Sequence, residues 1–157
     1  MRLNFSNVSR LSSLPLIIFA GSLVLEGSRQ VYVDIVSTAA GTELSFWGAE
    51  AYQPTEAVIA RTGSNLQQLD HFPPVAPGHM AQQAYFLSWQ GFFADDIEQR
   101  LAFNEQAAAK QYQSMMLRPA YRQGWAEVIE YASRTRGGAK MLDEAYTRIA
   151  ALQPALN

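Results

Sequence analysis

The stretch LPLIIFAGSLVL, residues 14–25, decides the fold of the N-terminal part of this chain, because it is apolar and carries no charge. Arg10 precedes it and Glu26 follows it. The strictly uncharged run, Leu11–Leu25, has 15 residues, whereas a membrane-spanning helix usually needs about 20. Snorkelling of Arg10 and local thinning of the bilayer help such a run to span. The run therefore predicts an uncleaved membrane anchor.

Two other interpretations of this segment stay open. A cleaved signal peptide fits the charged start and the short run, although the residues after the run offer a poor small-residue cleavage site. A buried core helix also fits a run of this length. For an anchor, Arg2 and Arg10 favour a cytoplasmic N-terminus, so the bulk of the chain lies outside, in the periplasm of a Gram-negative bacterium. We expect an anchor over residues 1–27 at the bacterial inner membrane and a helical domain over 28–157.

The rest of the sequence has the periodicity of α-helices. A helix is predicted from the anchor to about Ala51, with an inward face formed by Val31, Ile35, Thr38, Thr42 and Phe46. Prolines and glycines then divide the chain into further helices over 54–69, 78–93, 95–117, from Pro119 to before Gly137, and over 140–152. In the 95–117 helix, Ile97, Leu101, Asn104 and Ala108 are predicted to face inward. Convincing strand patterns are absent, so the fold class is all-α.

The C-terminal half contains a spacing typical of a helical repeat. Leu117-Arg118-Pro119 and Leu152-Gln153-Pro154 lie 35 residues apart, and each follows a helix–turn–helix unit, 78–117 and 120–152. Tetratricopeptide repeats have about 34 residues, two helices and a closing proline. The spacing predicts antiparallel helical hairpins in a degenerate tetratricopeptide-like array. Two ordinary helical hairpins remain the alternative.

Composition and motifs argue against most chemistry. The chain has no cysteine and a net charge of −2, so no thiolate site and no broad basic field for nucleic acid is expected. His71 and His79 do not share a helix face and have no third ligand partner, so no metal is expected. Phosphate-binding glycine motifs are absent. We therefore expect no cofactor, no catalytic residue and no enzyme activity. A polysaccharide-cleaving enzyme that pairs Asp95 or Asp96 with Glu127 or Glu130 is a minor alternative.

Two groups of residues are candidates for binding a partner. Aromatic side chains dock proteins or stack on sugar rings when they are exposed, and form the core when they are not. The aromatic candidates are Trp47, Tyr52, Trp89, Tyr121 and Trp125. A basic patch suited to an acidic partner or lipid headgroups is predicted from Arg118, Arg122, Arg134, Arg136 and Lys140.

Several short segments resemble a known family. The segments SRQVYVD (28–34), ELSFW (43–47) and YQP (52–54) are similar to the start of the VpsP-like polysaccharide biosynthesis proteins. Tyr112 followed after four residues by Leu117-Arg118-Pro119, together with Gly124-Trp125-Ala126, resembles the repeat region of that family, whereas the proline-rich segment 72–78 departs from it.

The resemblance implies a small, membrane-anchored, tetratricopeptide-like protein that acts in exopolysaccharide or capsule biosynthesis or export. Its expected role is that of a non-catalytic adaptor for other protein subunits of a glycan-assembly complex. A structural subunit of another membrane protein complex is the alternative.

Overall fold

The computed structural model describes residues 8–72 and 75–152, and their side chains from residue 15 onward. These residues form six α-helices and no strand, which confirms the all-α prediction. The helices are α1 (Val8–Phe46), α2 (Glu56–Leu69), α3 (Pro77–Phe93), α4 (Ile97–Leu117), α5 (Arg122–Ala132) and α6 (Ala139–Ala151).

Helix α1 is one unbroken helix of 39 residues, and the expected boundary between anchor and domain at residue 27 falls inside it. It ends at Phe46, five residues before the predicted end at Ala51. The reason is Gly48, which adopts a positive φ of 88°. Glycine takes this conformation readily and commonly ends a helix there.

The face of α1 that packs against the domain is not the predicted one. Val31, Ile35, Thr38, Thr42 and Phe46 are all exposed, and the residues that pack inward are Val33, Val36, Ala40, Leu44 and Trp47. The prediction of the inward face was therefore wrong. Helix α1 carries two apolar stripes on opposite sides, and helical periodicity alone does not reveal which stripe the neighbouring helices cover.

The helices after α1 run back and forth beside it. Tyr32 contacts the end of α2, where its hydroxyl donates to Gln68 Oε1 at 2.5 Å, while Glu43 pairs with Arg61 near the start of α2. Helix α2 is therefore antiparallel to α1. Helix α3 returns parallel to α1, since Gln82 lies beside Ser37 and Trp89 lies beside Gly48.

Helices α3 to α6 form two antiparallel hairpins. Pro77 at the start of α3 lies beside Ser114 near the end of α4, with the Ser114 hydroxyl donating to the Pro77 carbonyl at 2.7 Å. Helix α5 packs on both α4 and α6. The predicted unit 78–117 corresponds to α3 and α4, although α3 begins one residue earlier, at Pro77. The predicted unit 120–152 corresponds to α5 and α6, whereas Pro154 lies outside the described residues. The tetratricopeptide-like character of these hairpins stays a prediction.

Small residues set the close packing of α3 on α4. A side chain at Gly91 would lie 3.3 Å from the carbonyl oxygen of Arg100, and Ala84, Ala107 and Ala108 are buried around Tyr131. A second cluster joins α4 to the last hairpin through Met115, Trp125, Val128 and Ala145. Ile97, which was predicted to face inward, is 61% exposed because it starts α4 at the edge of the bundle.

Candidate functional site

The parallel course of α1 and α3 gives the helical domain two distinct ends. The near end, toward the apolar start of α1, holds the α2–α3 and α4–α5 connections. The far end holds the α1–α2, α3–α4 and α5–α6 connections. At the near end, Tyr32 of α1 contacts Phe72, with ring centroids 5.5 Å apart. At the far end, Trp47 of α1 contacts Phe93, with ring centroids 5.9 Å apart.

Two of the five aromatic candidates are core residues. Trp47 is 3% exposed and packs on Phe86, and Trp125 is fully buried. The Trp125 indole donates to the Pro119 carbonyl at 2.9 Å, which satisfies its one donor without a partner molecule. Since a docking protein reaches only exposed atoms, we withdraw Trp47 and Trp125 as docking residues.

Tyr52 is half-buried and closes the loop after α1. Its hydroxyl donates to a carboxylate oxygen of Glu43, which also accepts from the Trp47 indole at 3.1 Å. The hydrogen bond to Glu43 and burial raise the pKa of Tyr52. These contacts hold the turn between α1 and α2, so Tyr52 has a structural role here.

Trp89 belongs to an exposed aromatic surface at the far end. Trp89 is half-buried and contacts Tyr85, Phe92 and Phe93, all of which are exposed. We call these four residues the far aromatic surface. Exposed aromatic clusters are enriched at protein interfaces because they bury much area with little loss of side-chain freedom. The sequence indicated an aromatic helix here but not which rings stay uncovered.

The predicted basic patch is divided between the two ends of the domain. Arg118 and Arg122 lie at the near end, whereas Arg134, Arg136 and Lys140 lie at the far end, because α5 separates them by about 16 Å. At the far end, Arg134 pairs with Glu130 at 2.7 Å and Arg136 with Glu98 at 2.9 Å. The prediction of a single patch is therefore wrong: residues close in sequence were separated by an intervening helix.

The near-end cations lie among exposed apolar side chains. Arg118 stacks over the ring of Tyr121 at 5.1 Å, and Met116, Leu117 and Tyr121 are exposed. Arg118 is half-buried and also donates to the Ser114 hydroxyl at 2.8 Å, so Arg122 is the exposed cation of this group. We call Met116, Leu117, Arg118, Tyr121 and Arg122 the near-end patch. Its mixture of apolar, aromatic and cationic groups suits the surface of an anionic membrane.

A groove of about 470 Å³ lies between α2, α3 and α4. Its polar lining consists mainly of side-chain amides, together with Asp70 and Lys110, whose charged atoms lie 3.9 Å apart. The amide residues are Gln67, Gln83, Gln90 and Gln106. Sequence reasoning missed this groove, because its residues come from three helices and carry no motif.

Gln83 is the best-fixed residue of the groove. It is almost fully buried, and its amide nitrogen donates to the Leu66 carbonyl at 3.0 Å and to Asp70 at 2.9 Å. Its carbonyl oxygen has no hydrogen-bond partner among the described residues. Gln83 therefore holds α3 to the end of α2, and its shielded carbonyl oxygen is out of reach of a partner in the groove.

Asp96 and Glu127, one of the carboxylate pairings considered for a glycosidase, lie far apart. Asp96 caps the start of α4 by accepting from the Gln99 amide at 2.8 Å, whereas Glu127 accepts from Gln111 at 2.7 Å. Asp96 and Gln111 are about 22 Å apart along α4, far more than the roughly 5–10 Å of a catalytic carboxylate pair. Burial raises the pKa of Glu127. The Asp96–Glu127 pairing is therefore excluded.

The histidines show no metal-binding arrangement within the described part of the chain, where no three His, Asp or Glu residues gather into a ligand set. Burial lowers the pKa of His79, while the nearby Asp34 opposes this shift.

Comparison of the chain with protein-family models, with curated proteins and with solved structures finds no match.

Proposed function

We propose that this chain is a membrane-anchored helical adaptor that holds a partner protein beside the membrane, in exopolysaccharide or capsule biosynthesis or export. The observation that carries the proposal is that the two parts of α1 have different surroundings: the first part is uncovered, and the second packs into the domain. The large apolar side chains from Leu16 to Leu25 are 59–73% exposed, whereas Val33 to Trp47 of the same helix supply the core. One continuous helix therefore links an uncovered apolar segment to the folded domain.

The exposure of this segment favours an anchor over a core helix of the domain. α1 is the one helix of the described chain that is long and apolar enough to cross a membrane. The near-end patch adds support, because it presents Arg122 and exposed apolar groups on the side of the domain where the bilayer would lie. The arginines before the apolar run favour a cytoplasmic N-terminus, which supports a periplasmic location of the domain.

The partner contact is assigned to surfaces away from the membrane. The groove offers side-chain amides together with Asp70 and Lys110, and the far aromatic surface offers exposed rings. Both suit a segment of another protein. Anchoring raises the effective concentration of such a partner, so weak contacts are sufficient. The glycan-assembly setting rests on the resemblance of short segments to VpsP-like proteins.

Cross-linking with mass spectrometry on native membranes tests this proposal. A tagged full-length chain is compared with Gln106→Arg, which fills the groove, and with Gln113→Arg, an exposed change on the same helix outside it. We expect cross-links from groove residues to glycan-assembly proteins that Gln106→Arg reduces and Gln113→Arg retains. Cross-links only to an unrelated membrane complex would replace the adaptor role with that of a structural subunit of that complex.

A further inference from the structure

The outer side of α1 carries a second repeating pattern that the domain leaves uncovered. Uncharged residues recur at alternating steps of four and three from residue 17 to residue 42. They are Ile17, Gly21, Val24, Ser28, Val31, Ile35, Thr38 and Thr42, and each is exposed. We call these eight residues the outer stripe. Alternating steps of four and three form the heptad repeat, in which the first and fourth positions face a partner helix.

The outer stripe lies opposite the side of α1 that packs on α2 and α3. When the stripe occupies the first and fourth heptad positions, the buried residues occupy the second, third and sixth. Those residues are Val33, Val36, Ala40, Leu44 and Trp47. A helix that packs against the outer stripe would therefore not displace any helix of the domain.

Part of the outer stripe extends beyond the membrane. Ile35 lies eight residues after Gly27, the expected end of the anchor, which is about 12 Å along the helix. The headgroup layer on each side of a bilayer is only about 5–8 Å thick. Val31 is 59% and Ile35 63% exposed, so lipid accounts for the stripe inside the membrane but not for Ile35. Burying such a side chain against another helix is favourable.

A second copy of the same chain fits the stripe for two reasons. Copies anchored in one membrane have the same orientation, so their α1 helices meet in parallel. In a parallel pair each heptad position meets its own equivalent, so Gly21 meets Gly21 and Ser28 meets Ser28. Small residues at such positions allow close approach of helices in membranes. The other six residues of the stripe are β-branched, and the Ile and Val side chains among them strongly prefer one rotamer in a helix, so they lose little freedom on pairing.

We propose that α1 pairs in parallel with α1 of a second copy through the outer stripe, from within the membrane to Thr42. This pairing goes beyond the adaptor role and rests on the membrane anchoring proposed for α1. It leaves the groove and the far aromatic surface of each copy free, because these lie on other helices. A paired adaptor presents two docking surfaces side by side.

Single-cysteine variants test the pairing directly, because the chain has no cysteine of its own. Val31→Cys and Ile35→Cys place a thiol on the stripe. Gln30→Cys is the matched control on α1, exposed and at the same depth but off the stripe, and Ile97→Cys is the control on the far end. We expect oxidation of native membranes to give disulfide-linked dimers at 31 and 35, and at least about tenfold less at 30 and 97. Equal cross-linking at all four positions would overturn the proposal.

A charge on the stripe gives an independent readout. Adding Ile35→Glu to the Val31→Cys chain should reduce its disulfide dimer at least about tenfold, because two carboxylates would meet at one heptad position. Ile97→Glu, a change of the same residue type at 61% exposure, should leave the dimer unchanged. A dimer that survives Ile35→Glu, or a cross-link to a different protein in place of the second copy, would contradict the proposal. Alkaline extraction of the same membranes tests the anchor separately, so its failure is distinguishable from failure of the pairing.

Discussion

At the scale of single residues, Gly137 and Gly138 have different surroundings, which the sequence does not distinguish. The pair was expected to end a helix, but α5 ends earlier, at Ala132, and Gly138 directly precedes α6. Only Gly138 is enclosed: a Cβ there would lie inside van der Waals contact of the Ala132 carbonyl oxygen, whereas a Cβ at Gly137 meets nothing within 4 Å.

Gly138→Ala should therefore lower the free energy of unfolding by about 1–3 kcal/mol, because the backbone must shift to make room. Gly137→Ala should change it by less than about 0.5 kcal/mol. Denaturant unfolding of the two variants in detergent checks this difference. Equal stabilities would show that the α5–α6 turn is not packed as described.

The burial of Glu127 predicts an unusual pH dependence of folding stability. Burial raises its pKa above the ordinary 4.5, so its ionised form destabilises the folded state. Glu127→Gln removes that charge and should be more stable than the native chain at pH 7. The advantage should shrink as the pH falls through the raised pKa and disappear below about 4.5, where the native carboxyl is protonated in both states. Thermal melts from pH 4 to 8 measure it, and an advantage that grows toward acid pH would contradict the burial of Glu127.

The five aromatic candidates also illustrate the residue scale. Trp125→Ala should cost about 3–5 kcal/mol of folding stability, since it empties a fully buried site and removes the hydrogen bond to Pro119. Tyr121→Ala, at an exposed position of the near-end patch, should cost far less. Melting temperatures of the two variants separate these cases. Similar losses would mean that Tyr121 is also a core residue.

At the scale of the helices, the sequence predicted the starts of α3 and α4 better than it predicted the inward face of α1. The starts of α3 and α4 were predicted to within a residue or two, because Pro77 and Asp96 act locally on the backbone they belong to. The inward face of α1 was predicted wrongly, because which stripe is covered depends on α2 and α3, which are distant in sequence.

At the scale of the helices, the prediction concerns Gly48, which ends α1. Gly48→Ala forces an L residue into a left-handed conformation, at about 1–2 kcal/mol, and places a Cβ 2.9 Å from the Trp89 ring. We expect a loss of at least that size in the free energy of unfolding. Gly78→Ala is the control, since nothing lies within 4 Å of its Cβ. If both variants unfold at the same denaturant concentration, α1 does not end as described.

At the scale of the whole molecule, the sequence predicted an all-α chain with a long apolar N-terminal helix, but not the surfaces of the domain. The groove draws on α2, α3 and α4, and the basic patch separated once α5 was placed between its members. Such features depend on the packing of helices, which short motifs do not encode. The apolar N-terminal helix was the exception, because a run of apolar residues is a local property of the chain.

The central claim is that α1 joins a membrane segment to a domain outside the membrane. Labelling with a membrane-impermeant maleimide in spheroplasts tests it most directly, using Val24→Cys in the apolar segment and Ile97→Cys at the far end. We predict that the cysteine at 97 is labelled in spheroplasts, that the cysteine at 24 is protected until detergent is added, and that alkaline carbonate leaves both variants in the membrane. Release of the chain by carbonate, with the cysteine at 24 labelled as readily as the cysteine at 97, would contradict the account.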